Sequence, residues 1–155
     1  MKNFKPLLAF VAVTLLGAMI YMFMRSQGQI GLAGQIADGI ETAVSTNTTQ
    51  INMTELTDFA WDSVYIFAPY TTAEQINQTL GFTWPEAASS AIINQDDITL
   101  LVFVENGRVV DHVEFSRGQG DFSSAASPEP YTPDRAVFVI DSSNGIQLMP
   151  STLGR

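Results

Sequence analysis

The sequence predicts an α+β fold: an N-terminal single transmembrane helix, then a small, mainly antiparallel sheet of four or five strands with one or two short helices. Three observations lead to this prediction. An uncharged apolar run covers residues 6–24, an Asn-Gly dipeptide at 106–107 joins two apolar segments, and a capped helical pattern lies at 72–80. A hairpin makes neighbouring strands antiparallel, and a short helix beside such a sheet gives the α+β class.

The composition excludes several kinds of function. The 155 residues contain no cysteine, one histidine, 7 Lys+Arg and 16 Asp+Glu, and the net charge is −9. Without cysteine the chain has no disulfide, no thiolate nucleophile and no Cys-type zinc site. Binding to a phosphate backbone needs clustered basic residues, so we expect no nucleic-acid partner. The sequence identifies no catalytic, cofactor-binding or metal-binding residue.

Residues 6–24 predict a membrane anchor. At 1.5 Å per residue they span about 28 Å, close to the roughly 30 Å hydrocarbon core of a bilayer. A cleaved signal peptide and a buried core helix are the alternatives, but the run is long for a signal peptide and lacks a small-residue cleavage site. Lys2 and Lys5 precede the run, Arg25 follows it, and the next basic residue is Arg108. The positive-inside rule therefore predicts a single-pass protein of the plasma (inner) membrane with a cytoplasmic N-terminus.

The rest of the chain is expected outside the cytoplasm. We divide the sequence into a cytoplasmic start and anchor (1–25), a flexible polar linker (26–54) and an extracytoplasmic acidic domain (55–150). Within the linker, Ile36, Ile40 and Val44 have the spacing of one helix face, whereas Gly39 disfavours a helix. The short basic start before one apolar run is typical of bacterial proteins.

The folded domain begins with a strand and a helix. Residues 62–67 are β-branched and aromatic on both alternating faces, which predicts a central strand covered on both sides. Thr71 and Glu74 have the spacing of a capping box, so we expect a helix at 72–80 with glycine as its C-terminal stop. Residues 86–93 fit either helix or strand.

The hairpin is the strongest local signal. Asn106-Gly107 is typical of a type I′ turn between the strands Ile98–Glu105 and Arg108–Phe115. A two-residue turn places Glu105 opposite Arg108 and fixes the pairs that follow. The predicted pairs further along are Val102 with Asp111, Leu101 with His112, Leu100 with Val113, and Ile98 with Phe115. Beyond a proline-rich loop, we expect strands at 136–140 and 146–148 around a turn at 144–145.

His112 invites a catalytic hypothesis because Asp111, Glu114 and Ser116 lie near it in sequence. Neighbouring residues of a strand point to opposite faces, and a triad needs its nucleophile on a separate element. We therefore interpret His112 as a surface residue. Asp111 is expected at the sheet margin or paired with an arginine such as Arg117 or Arg135, and a functional buried carboxylate is the alternative.

Two loops remain as candidate sites. Asp96-Asp97 resembles a cation ligand pair but lacks the regular carboxylate spacing of calcium loops, which favours a solvated turn. The loop Arg117–Phe122 contains Gly118 and Gly120, which would let the backbone approach a ligand, with Arg117 and Asp121 as polar contacts. A purely structural loop is the alternative.

Four segments carry a family resemblance: WDSVYIFAPY at 61–70, LGFTW at 80–84, LLVFV at 100–104 and GDF at 120–122. They resemble a family of small bacterial membrane-anchored extracytoplasmic proteins of uncharacterised function. The order of helix, turn and hairpin is also similar to that of small outer-membrane assembly lipoproteins. The resemblance implies a location and a fold class, and it implies no catalytic residue.

We therefore expect a membrane-tethered extracytoplasmic binding or accessory domain without a catalytic centre. Its expected partners are the lipid bilayer, through residues 6–24, and a protein of the cell envelope. The alternatives are a structural subunit of an envelope complex and a small hydrolase or ligand-binding enzyme. The scarcity of reactive side chains favours a binding role over an enzymatic one.

Overall fold

A computed structural model describes residues 31–151, and this part of the chain contains two helices and six strands. The elements are α1 (31–45), β1 (Gln50–Asn52), β2 (Ser63–Phe67), α2 (Ala73–Leu80), β3 (Ile98–Glu105), β4 (Arg108–Ser116), β5 (Val137–Asp141) and β6 (Gln147–Pro150). All pairs are antiparallel, in sheet A with the order β1-β5-β6 and sheet B with the order β2-β3-β4. The α+β class is confirmed. The sequence missed β1, because three residues are too few to show an alternating pattern.

Helix α1 replaces most of the predicted linker. Leu32, Ile36, Ile40 and Ala43 form one buried face of this helix and join the larger hydrophobic core. Gly39, expected to weaken the helix, instead lets α1 approach Leu56 so closely that a Cβ would collide with its side chain. The prediction of a flexible linker is therefore wrong from residue 31 onward. A narrow apolar stripe is enough to stabilise a helix when that stripe packs against a hydrophobic core.

Two hydrophobic cores cover the two faces of sheet B. The larger one joins α1, sheet A and one face of sheet B, with the buried aromatic side chains Trp61, Phe103, Phe115, Phe122 and Phe138. The smaller one lies under α2 on the opposite face of sheet B, where Ile76, Leu80 and Trp84 pack against Leu100 and Val102. Each face of β3 is therefore buried, in agreement with its continuous apolar sequence.

The hairpin has the predicted turn but a different register. Asn106 and Gly107 have φ values of 52° and 72°, as a type I′ turn requires. Val104 pairs with Val109, but Phe103 pairs with Asp111, so Val110 is an extra bulged residue. The predicted pairs beyond the bulge are wrong by one residue: Val102 faces His112, Leu101 faces Val113 and Ile98 faces Ser116. The shift places Val113 and Phe115 in the larger core, beside Leu101 and Phe103.

Two other predictions need correction, and the open assignment of residues 86–93 is resolved. Strand β2 is buried on both faces as expected, but it lies at the edge of sheet B, and β3 is the central strand. The capping box of α2 is formed by Thr72 and Gln75, one residue later than predicted, and Gly81 ends the helix at φ 79°. Residues 86–93 are neither α-helix nor strand, because two short 3-10 turns occupy Pro85–Ser89 and Ala91–Ile93.

The predicted membrane segment at 6–24 and the cytoplasmic start lie outside the described residues. In the stretch from 31 to 151, neither helix has the length and apolar character that crossing a membrane requires.

Candidate functional site

The acidic neighbours of His112 in sequence bond to backbone and to Ser90. The Asp111 carboxylate accepts a hydrogen bond from the backbone N–H of His112 at 2.8 Å, and its predicted partner Arg117 binds Asp121 instead. The Glu114 carboxylate accepts from the Ser90 hydroxyl and from the Ala91 backbone N–H, both at 2.7 Å. These carboxylates therefore hold backbone and turns in place.

His112 is also less exposed than the sequence predicts. It is half-buried, and its ring lies edge-on to Trp84 with a centroid distance of 4.8 Å. The bulge at Val110 causes this, because it turns His112 toward the face that α2 covers. The prediction of a plain surface histidine is therefore wrong, and the ring contributes to packing of the smaller core.

The loop Arg117–Phe122 joins the two sheets. Arg117 donates to Asp121 Oδ2 at 2.7 Å and to the Asp96 carbonyl at 2.6 Å, and Asp121 Oδ1 accepts from the Ser123 N–H. The Asp121 backbone bonds to the carbonyl of Ile146 and the N–H of Leu148, both at 2.8 Å. The loop thus connects the end of β4 to β6 of sheet A.

The electrostatics of Asp121 agree with a structural role. Burial opposes ionisation of this carboxyl, but hydrogen bonds from Arg117 and Ser123 outweigh that cost and lower its pKa to about 2. A Cβ on Gly120 would lie 2.8 Å from Ile40 Cδ1 and 3.0 Å from Leu148 Cδ2. The glycine therefore allows the backbone to approach the core, and not a ligand as one hypothesis proposed.

The Asp96-Asp97 pair contributes main-chain groups. The Asp96 carbonyl accepts from Arg117, and the Asp97 carbonyl accepts from the Arg117 N–H at 2.9 Å. Both aspartates are exposed. Across residues 31–151, no group of three or more His, Asp and Glu side chains is placed to hold a metal ion.

The outer edge of β2 is a different kind of feature. Val64 exchanges two backbone hydrogen bonds with Tyr131, at 2.8 and 2.9 Å, on the side of β2 that faces away from β3. Backbone groups of alternate residues in an antiparallel strand point to the same side, so the N–H and C=O of Ile66 also point away from β3. Among the described residues, the backbone pairing on this outer side of β2 is the one between Val64 and Tyr131.

The pairing between β2 and this loop stops after one residue because Glu129 bonds elsewhere. If the strand containing Tyr131 continued in register, Glu129 would lie opposite Ile66. The Glu129 N–H instead donates to the Ser127 hydroxyl at 3.1 Å. It is therefore directed to its own loop and not to Ile66.

A groove of about 320 Å³ lies where the loop departs, and we call it the β2 groove. One side is the strand end Ile66–Ala68, the second is α2 with Gln75, Gln78 and Thr79, and the third is the loop 126–128. The side chains of the groove are apolar or neutral polar. A groove that runs beside a strand edge is the kind of site at which some domains bind an extended peptide segment.

Tyr70 gives the groove a strained neighbour. Its φ is 65°, a region that bulky residues rarely adopt, and its side chain is 59% exposed. The turn that holds it is closed by the Thr71 hydroxyl, which donates to the Ala68 carbonyl at 2.6 Å, and both residues line the groove. Backbone strain of this kind is concentrated at functional sites.

Sequence reasoning missed the β2 groove because it placed β2 in the centre of the sheet. The prolines at 128 and 130 give no signal of the groove, because both would face away from β2 in a strand that pairs through Tyr131. No family model, no curated protein and no solved structure matches this chain.

Proposed function

We propose that this protein is a membrane-tethered extracytoplasmic binding domain that holds a protein of the cell envelope by adding one of its strands to β2. The outer side of β2 at Ile66, where the strand end Ile66–Ala68 borders the β2 groove, is the observation that carries the proposal. Ile66 is 1% exposed, so an incoming strand must displace the groups that cover this edge before it pairs. Its main chain would then bond to the N–H and C=O of Ile66.

A binding role is favoured over hydrolysis by the state of the reactive side chains. Asp111, Glu114 and Asp121 are engaged by backbone or by neighbouring side chains, and the His112 ring packs on Trp84. A hydrolase needs a nucleophile within hydrogen-bond reach of a base that a third group orients. Asp111 and Glu114, the acids beside His112 in sequence, accept from backbone N–H groups and from the Ser90 hydroxyl.

The location is proposed from the charges that bracket residues 6–24. Lys2 and Lys5 precede the apolar run, and Arg25 is followed by no basic residue until Arg108. Protease added to intact spheroplasts should therefore digest the acidic domain and leave a short membrane fragment. Full protection of the domain would contradict an extracytoplasmic location.

A photo-crosslinking amino acid in the full-length chain tests the binding surface. We expect position 78, in the wall of the β2 groove, to give one discrete protein adduct in intact cells. Mass spectrometry should map that adduct to a single extended segment of the partner. The matched control is position 124, an exposed serine on the 3-10 turn Ser123–Ala125 outside the groove. Equal adducts at both positions, or an adduct at 124 alone, would refute the assignment.

Substitutions at the same two positions, 78 and 124, distinguish this proposal from the alternative of a structural subunit of an envelope complex. A subunit held by its membrane segment alone should co-purify with its complex when position 78 carries a bulky residue. A binding domain should lose its partner when Gln78→Trp fills the groove and keep it with Ser124→Trp.

A further inference from the structure

The charge distribution identifies the chemistry of the segment that the β2 groove accepts. All 16 acidic residues of the chain lie between Asp38 and Asp141, where the basic side chains are three arginines, Arg108, Arg117 and Arg135. One of these, Arg117, is engaged by Asp121. A partner approaching this surface meets a negative potential, which attracts basic segments and repels acidic ones.

Two carboxylates lie at the borders of the groove. On the helix side, Glu74 accepts from the Gln78 side chain at 3.2 Å, and Gln78 lines both the β2 groove and a second concavity of about 640 Å³ that also contains Glu74. On the loop side, exposed Glu129 follows Pro128, the last groove residue of that wall.

The geometry of an added strand connects these carboxylates to the partner. Alternate side chains of a strand point to opposite faces of a sheet, so one set would point toward α2 and the other toward the loop 126–128. A lysine or arginine is long enough to lay its apolar stem along the neutral groove wall and to place its charge at the border. Glu74 is the acceptor on one side, and Glu129 is the acceptor on the other.

We propose that the segment bound at the β2 edge is an extended basic peptide. On the helix side its long cationic side chains would reach over Gln78 to Glu74, and on the loop side they would reach beyond Pro128 to Glu129. This inference rests on the proposed strand addition and adds the charge of the partner. Main-chain bonds to Ile66 would provide the pairing, and the two carboxylates would select the sequence.

Three peptides test the inference on the full-length chain in detergent micelles. The first is acetyl-Lys-Val-Lys-Val-Lys-Val-Lys-amide, the second replaces every lysine by glutamate, and the third is the lysine peptide with alternate backbone amides methylated. We expect the lysine peptide to bind and to protect the Ile66 amide from hydrogen exchange. We expect the other two to bind at least about tenfold more weakly.

Paired variants locate the charge effect. Glu74→Gln with Glu129→Gln should weaken binding of the lysine peptide about tenfold, since each exposed ion pair contributes a few-fold. The control, Glu41→Gln with Glu55→Gln, removes the same charge from exposed positions outside the groove and should change affinity less than twofold.

The outcomes separate the two proposals. Equal binding of the lysine and glutamate peptides, both protecting Ile66, would overturn the basic partner and leave strand addition standing. Equal binding of the methylated peptide, binding without protection of Ile66, or no binding by any peptide would overturn strand addition and the inference with it. Equal effects of the two double variants would refute Glu74 and Glu129 as the selecting groups.

Discussion

The two edges of sheet B are built in opposite ways. The β4 edge carries charged residues and a bulge at Val110, and Glu114 fixes it to the turns at Ser90 and Ala91. The β2 edge, Ser63–Phe67, has no charged residue, and in the described part of the chain its outer side pairs with Tyr131 alone. Charges and bulges prevent an edge from pairing with another strand. The β4 edge therefore carries features that oppose pairing, and the β2 edge lacks them.

The contrast predicts that the bonds around β4 contribute more to stability than those around β2. The largest effect is expected at Asp121, which is 6% exposed and holds Arg117 at the end of β4. Asp121→Asn should lower the free energy of unfolding by about 2 kcal/mol at pH 7, because the carboxyl pKa of about 2 lies well below the ordinary value for an aspartate.

The pH dependence of that effect follows from the direction of the shift. A carboxyl with a lowered pKa stabilises the fold above its unfolded pKa, and this contribution is lost as the pH falls through the folded pKa of about 2. Urea unfolding of the full chain, followed by tryptophan fluorescence at pH 7 and pH 2, measures it. Asp97→Asn, at an exposed carboxylate, is the control. If Asp121→Asn and the wild type differ in free energy of unfolding by the same amount at pH 7 and at pH 2, this account is contradicted.

A smaller effect is expected in the middle of β4. Glu114→Ala removes the acceptor of the Ser90 hydroxyl, and Ser90 is 9% exposed. The Ala91 N–H loses the same acceptor. We expect a loss of about 1.5 kcal/mol in the same unfolding assay, within the range for unpaired buried groups. Glu41→Ala, at an exposed position of α1, should change stability by less than about 0.5 kcal/mol.

The smallest effect is expected at the β2 edge. The Tyr131 hydroxyl donates to the Ala125 carbonyl at 2.8 Å, while its ring packs edge-on to Phe138 and its backbone pairs with Val64. Tyr131→Phe removes the hydroxyl alone and should cost about 0.5–1 kcal/mol in thermal or urea unfolding. A cost larger than that of Glu114→Ala would show that β2 is the better protected edge, and the comparison would fail.

The sequence predicts well those turns, helix ends and strands that depend on residues close together in the chain. The Asn106-Gly107 turn, the glycine stop at Gly81 and the strands near 137–141 and 147–150 depend on local backbone chemistry, and the structure contains them. The bulge at Val110 depends on competition between two cores for Val113 and Phe115. Because both faces of β3 are apolar, the sequence of β3 alone cannot settle that competition.

The helix and the groove were missed for a related reason. The buried stripe of α1 is recognisable as part of a core only when sheet A and sheet B are already in place. The β2 groove depends on which strand lies at the edge of the sheet. An edge strand that is covered on both faces is apolar on both faces, as a central strand is, so the sequence pattern does not distinguish the two positions.

The packing of α1 also decides where the chain can be shortened. Ile36 and Ile40 are 0% and 1% exposed, so they form one wall of the larger core. A recombinant fragment that starts at residue 51 would present the apolar surface beneath that wall to water and would be prone to aggregate. A fragment designed for spectroscopy or crystallisation should therefore retain the whole of 31–45, although its small polar residues suggest a dispensable leader.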